Sequence, residues 1–121
     1  MDILSFRDYC LSLPGVTESF PFGEDTLVFK VGGKIFALAG INLFESFNVK
    51  CDPEKAIELR DQYPEVIPGY HMNKRHWNTV SVTGRVPENL LKNWISESYH
   101  LVFQSLSKKI REELDKKDTD R

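Results

Sequence analysis

A chain of 121 residues with 40% hydrophobic and 28% charged side chains can bury one core without disulfide or metal support, and its composition excludes disorder. A net charge of -2 excludes a globally basic nucleic-acid coat, so any polyanion contact has to come from a local patch. The opening residues M-D-I-L-S-F-R-D lack the basic and apolar regions of a secretion signal, and no apolar run approaches the ~20 residues of a membrane span, which predicts a cytoplasmic protein with no membrane partner.

Asp2 is a candidate N-cap for a first helix in which Leu4, Phe6, Tyr9, Cys10 and Leu13 recur at helical spacing before Pro14-Gly15 stops it. Val16 to Phe22 alternates only loosely, and Gly23-Glu24-Asp25 breaks it. Residues 26–31 and 34–39 then read as two strands joined by Gly32-Gly33, which supplies the two positive-φ positions of a tight hairpin. Because this Gly-Gly-Lys joins two strands, it is a turn and not a phosphate loop. Residues 44–50 alternate with period two, predicting a third strand with Phe47 and Val49 inward and Asn48 and Lys50 toward water.

Asp52-Pro53-Glu54 opens a second helix, as cap, first-turn proline and dipole-favoured acid, with Ala56, Ile57 and Leu59 as its apolar stripe and Pro64 as its end. Pro68-Gly69 reads as a turn, followed by two β-compatible pieces at 70–72 and 77–82. Pro87-Glu88 begins the last helix, whose apolar positions run from Leu90 to Leu106 at a 3.6-residue period. A charged tail from about residue 108, with Ile110 and Leu114 four apart, either extends that helix or frays. The expected architecture is one α+β domain over residues 1–121, in the order α-β-β-β-α-β-β-α. It has a single antiparallel sheet with helices on one face, leaving the other face free for binding.

Cys10 and Cys51 sit in no C-x-x-C unit and read as reduced thiols, Cys10 on a helix face and Cys51 at a strand end. The stretch P-G-Y-H-M-N-K-R-H-W-N-T-V-S-V at 68–82 is the least explained by folding alone, with no acid between Val66 and Pro87. Lys74 and Arg75 offer phosphate contacts, Asn73 and Asn78 hydrogen bonds, and Tyr70, His76 or Trp77 a stacking face. Lys50 and Arg85 extend the patch, and Lys30 or Lys34 forms the tip of a wing at the first hairpin. The competing reading places Trp77 with Val80 and Val82 in a core strand and leaves Lys74-Arg75 as a solvated tip.

The pieces L-P-G-V-T-E-S-F-P-F-G at 13–23, F-K-V-G-G-K-I-F-A-L at 29–38, V-K-C-D-P at 49–53, P-G-Y-H-M-N-K-R-H-W-N-T-V at 68–80 and S-Y-H-L-V at 98–102 resemble the MmcQ/YjbR family from near the N-terminus to about Lys109. The resemblance implies a small domain similar to frataxin-like and secretion-chaperone-like folds, often described as DNA-binding through a double-wing arrangement. Ser107 departs from the pattern, standing where the resemblance implies a proline in many relatives.

The expected function is therefore DNA binding by Lys50, Asn73, Lys74, Arg75, His76, Trp77, Asn78 and Arg85, weak and salt-dependent, in a monomer or weak homodimer. Three phosphate contacts from Lys74, Arg75 and Arg85 give a log-log salt slope of about -2.7. The alternative is a protein-interaction or chaperone-like module that binds a partner through an exposed sheet face, with Phe44, Phe47 or Trp77 as anchor. His71 and His76 match no zinc spacing, and no cofactor motif is present. No catalytic motif is present either, Cys51 with His71 or His76 being the one nucleophile-base pairing to name.

Overall fold

The computed structural model describes the backbone of residues 1–69 and 72–119 and the side chains among them through residue 116. Helix α1 (Ile3–Ser12) starts in a capping box, in which the Asp2 carboxylate accepts from Ser5 N and Ser5 Oγ accepts from Asp2 N. Six strands follow the chain as β1 (Val16–Ser19), β2 (Thr26–Val31), β3 (Lys34–Gly40), β4 (Ser46–Lys50), β5 (Val66–Pro68) and β6 (Trp77–Ser81). Helix α2 (Pro53–Gln62) lies between β4 and β5, and α3 (Glu88–Ser105) and α4 (Lys108–Thr119) close the chain.

The strands form one antiparallel sheet in the order β1-β2-β3-β4-β6-β5. The α+β architecture is the expected one, with β1 added at an edge where the sequence alternates loosely. A second difference concerns the strand before β6. It forms at Val66–Pro68, ahead of the expected 70–72, because Val66, Ile67 and Pro68 find partners in Val80, Thr79 and Asn78. Tyr70 and His71 lie outside the described residues.

The helices bury one face of the sheet. Phe6 and Cys10 of α1, Ala56 and Leu59 of α2, and Leu91, Trp94, Ile95, Tyr99 and Val102 of α3 meet Leu27, Phe29, Val31, Ala37, Phe47, Val49, Val66 and Val80. Phe6 sits at the centre of an aromatic cluster, 5.5 Å from Phe29 and 5.3 Å from Phe47 between ring centroids. A β-bulge between Phe29 and Lys30 leaves Phe36 without a cross-strand partner, so its carbonyl accepts from Ser98 Oγ at 2.6 Å. The same hydroxyl accepts from Lys50 N at 2.8 Å, pinning α3 to two strands at once.

The Gly32-Gly33 hairpin forms as expected, with φ of 57° and 80°. A side chain at Gly32 would meet Leu106 Cδ1 at 2.5 Å and Ile110 Cγ2 at 3.2 Å, since the start of α4 packs on this turn. The chain breaks at Leu106-Ser107, and Ser107 then starts α4 by accepting from Ile110 N at its hydroxyl and from Arg111 N at its carbonyl. The tail is thus a separate helix whose Ile110 and Leu114 rest on the core.

Candidate functional site

By register, alternate residues of the sheet look away from the helices. One row crosses that face from Ser19 through Val28, Leu38, Asn48 and Thr79 to Ile67. Thr79 Oγ1 donates to Asn48 Oδ1 within it. One step along, Lys50 pairs with Trp77, and on the first hairpin Lys30 occupies the same end of the same face. Lys34 at the hairpin and the exposed Lys74 and Arg75 in the turn before β6 complete a cationic end. Among the described residues, none of these five cations forms an ion pair.

Several hydrogen bonds hold the turn before β6. Asn73 Oδ1 accepts from Arg75 N at 3.0 Å, and its carbonyl accepts from both His76 N and Trp77 N. His76 O accepts from Cys51 N at 2.7 Å, and Trp77 O from Gly69 N at 2.8 Å. Gly69 has to be glycine here: a Cβ would lie 2.7 Å from Trp77 Cβ and 3.0 Å from Trp77 O.

The residue that sequence reasoning missed is Arg60, in the last turn of α2. Its guanidinium donates to Lys74 O, to Trp77 O at 3.2 Å and through Nε to Asn78 Oδ1 at 2.7 Å. One cation thereby satisfies three acceptors and fixes the turn that carries two others. In sequence Arg60 is indistinguishable from a dipole-favoured cation at a helix end.

Two of the expected binding residues, Asn78 and Arg85, are placed away from the others, and the competing core reading of Trp77 is corrected. Trp77 is half-buried on the helix-free face and takes no part in the hydrophobic core, contrary to a core strand containing it with Val80 and Val82. Asn78 is 1% exposed on the helical side, so it presents no edge to a surface ligand. Pairing decides both: Val80 faces the core, and period two puts Asn78 with it and Trp77 opposite. Arg85 lies beyond the far end of β6, about 13 Å of strand from Trp77. There Glu65 Oε2 accepts from Arg85 N at 2.9 Å. That bond and the nearby Arg85 charge hold the Glu65 carboxyl below its ordinary value. Asn73, Lys74, Arg75, His76, Trp77 and Lys50 do come together at the opposite end.

Two concavities flank β6. On the helix-free face a cleft of about 610 Å³ runs over Leu38, Asn48 and Thr79 between Phe22 and Met72. Phe22 is 66% exposed at its edge. On the helical side a cavity of about 370 Å³ opens between α2 and α3, floored by Val49, Leu59, Asn78, Val80 and Trp94. Lys55 Nζ meets Glu97 Oε1 at 2.7 Å and Oε2 at 2.8 Å across its rim.

Cys51 lines this second cavity and is 8% exposed. Burial pushes its thiol up to about 11, which leaves it protonated and poorly nucleophilic at neutral pH. Burial also raises Cys10. Both cysteines are free thiols. His71, one of the two bases paired with Cys51 in the sequence reading and half of the histidine metal pair, lies outside the described residues. Among the described residues, no group of three or more His, Cys, Asp or Glu side chains is arranged to hold a metal ion. No described helix is long and apolar enough to cross a membrane.

The chain is 42% identical over 100 residues to the uncharacterized protein YbdF of Escherichia coli, a match covering 82% of each chain. It is 30% identical over 112 residues to the uncharacterized protein YjbR of the same species, covering 92% of this chain and 95% of that one. A crystal structure of a Deinococcus radiodurans protein with the domain DUF419 superposes with a TM-score of 0.88 at 40% identity, over 94% of this chain and 88% of that chain. One from Pseudomonas syringae gives 0.71 at 29% identity, over 84% and 99%. The YjbR family model matches residues 11–101, which include the helix-free cleft, the turn before β6 and all of the helical-side cavity lining but Gln104; the chain belongs to the YjbR family.

Proposed function

We propose that the protein binds DNA weakly and with little sequence preference, through the cationic end of the helix-free sheet face. The observation that carries this reading is the convergence of Lys30, Lys50, Lys74 and Arg75, without ion-pair partners among the described residues, beside the half-buried Trp77 ring. Arg60 presets the turn, so Lys74 and Arg75 are offered to phosphates at reduced ordering cost. Base edges meet few dedicated donors on this face, which fits backbone contact better than sequence readout.

Fluorescence anisotropy with a labelled 20-base-pair duplex tests the proposal. Four phosphate contacts give a log-log salt slope of about -3.6, or roughly a 150-fold loss of affinity between 50 and 200 mM salt. Lys74→Ala with Arg75→Ala halves that slope, whereas Arg85→Ala leaves it unchanged. Absent binding at 50 mM salt, or binding indifferent to salt, defeats the reading.

The cleft on the same face supports a second reading, a protein-interaction module without catalytic activity. Phe22, 66% exposed, lines this cleft with Ile35, Leu38 and Met72, apolar surface that phosphate contacts leave unused. A polypeptide partner whose binding survives the Lys74/Arg75 double substitution and is lost with Phe22→Ser favours it over DNA.

A further inference from the structure

The cleft on the helix-free face adjoins the cationic end, and the two take different chemistry. Ile35, Leu38, Asn48 and Thr79 form its floor, Phe22 and Met72 stand at its sides, and none of its lining side chains is charged. Asn48 Oδ1 accepts from Thr79 Oγ1, while Asn48 Nδ2 donates to no described residue, which leaves an amide donor on the floor. At about 610 Å³ the cleft is within the range of small-molecule sites, about 300–1,000 Å³.

Register sets the cations against this cleft. Lys30 pairs with the cleft residue Ile35, and Lys50 follows Asn48 on the same face of β4, about 7 Å along the strand. From β2 to β6 the cationic end spans three strand spacings, about 14 Å, with Lys74 and Arg75 beyond. The opposite end of the cleft is different: past Thr26 and Gly40, Asp25 Oδ1 accepts from Asn42 Nδ2 at 2.9 Å. A ligand is therefore drawn in with its anionic part toward Lys30 and Lys50 and its apolar part over Leu38. A lone phosphate reaches only the nearest of these cations, whereas the successive phosphates of a chain can occupy them all.

Shape decides which form of DNA fits. Elements that read a duplex project from the protein, because they have to enter a groove. A concavity does the reverse and takes a group that projects from the ligand. In DNA that group is an unpaired base, which is flat and uncharged and offers a π-face to the Phe22 ring and the Met72 thioether.

We infer that the cleft receives an unpaired base, so that the protein binds single-stranded DNA in preference to duplex. The inference rests on the DNA reading and deepens it: the cations hold successive phosphates while the cleft takes a base from between them. Stacking tolerates any base and one amide donor reads no sequence, in keeping with binding of little sequence preference.

The test measures anisotropy at 50 mM salt with three labelled ligands: a 20-base thymidine strand, an abasic strand of the same length and the 20-base-pair duplex. The thymidine strand is expected to bind about tenfold more tightly than either of the others, the effect of roughly one stacked base. Phe22→Ala, at a side chain 66% exposed and outside the hydrophobic core, brings the thymidine strand to the level of the abasic one. Lys74→Ala with Arg75→Ala weakens all three. A thymidine strand bound no more tightly than the abasic strand, a duplex bound as tightly as the thymidine strand, or a preference that survives Phe22→Ala each overturns the inference while the DNA reading stands, and the cleft then passes to a polypeptide partner. If none of the three ligands binds, the inference and the DNA reading fail together.

Discussion

Strand β6 separates two surfaces of opposite chemistry. Trp77 and Thr79 look out on a face edged by lysines and an arginine, while Asn78 and Val80 look inward beneath α2 and α3. The outer surface presents its charges to water, where separate weak interactions add and salt screens them. The inner surface has few polar atoms, and each one left unpaired there is expensive. Five consecutive residues can serve both because a strand reverses direction at every step.

Truncation should separate the two faces. Phe47→Ala on the helical face removes a fully buried ring from the Phe6 cluster and should cost about 3–5 kcal/mol in urea unfolding. Arg60→Ala leaves Asn78 Oδ1 and Lys74 O without their donor, while Trp77 O keeps Gly69 N, and should cost about 2–3 kcal/mol, with Arg60→Lys recovering little because an ammonium cannot span the same fork. Thr79→Val on the helix-free face, which loses the bond to Asn48, should cost about 1 kcal/mol. If Thr79→Val proves as damaging as Phe47→Ala, the division between faces is wrong.

Two smaller effects appear in the pH dependence of unfolding. The folded Cys51 thiol keeps its proton to about 11, against an ordinary 9.0 once unfolded. Its contribution is complete below pH 9 and is lost as pH climbs from 9 toward 11; Cys51→Ala should flatten part of that alkaline decline. Glu65 has the opposite sign. Its folded carboxyl titrates below the ordinary 4.5, so its contribution is present above that value and disappears as pH falls below it. Glu65→Gln should flatten the acid limb slightly, with the alkaline limb unchanged.

The sequence shows local structure far better than pairing. The Gly32-Gly33 hairpin and the Asp52-Pro53 helix start are legible because a few adjacent residues determine them. The Phe36 bulge and the position of β5 depend on strands far apart in the chain, and no local pattern announces them. Trp77 and Asn78 form an intermediate case. Alternation from Val80 and Val82 assigns Asn78 to the interior and Trp77 to the outside, against the general preference of aromatic side chains for cores. Arg60 was invisible, since its three acceptors are brought to it only by the fold. The Lys74-Arg75 pair could be read as exposed, yet only strand pairing shows that Lys30 and Lys50 share its end and Arg85 does not.

The contact of Leu106 and Ile110 with the Gly32 turn has a consequence for how the cationic end meets a ligand. A hairpin tip in open solvent would sway, and its lysines would each surrender freedom on docking. Here the C-terminal helix braces the tip from behind, making that end of the sheet a stiff rim with Lys30 and Lys34 set on it. If the cationic end binds DNA as proposed, such a rim would select by curvature as well as by charge, because it could meet only a surface whose shape already matched its own.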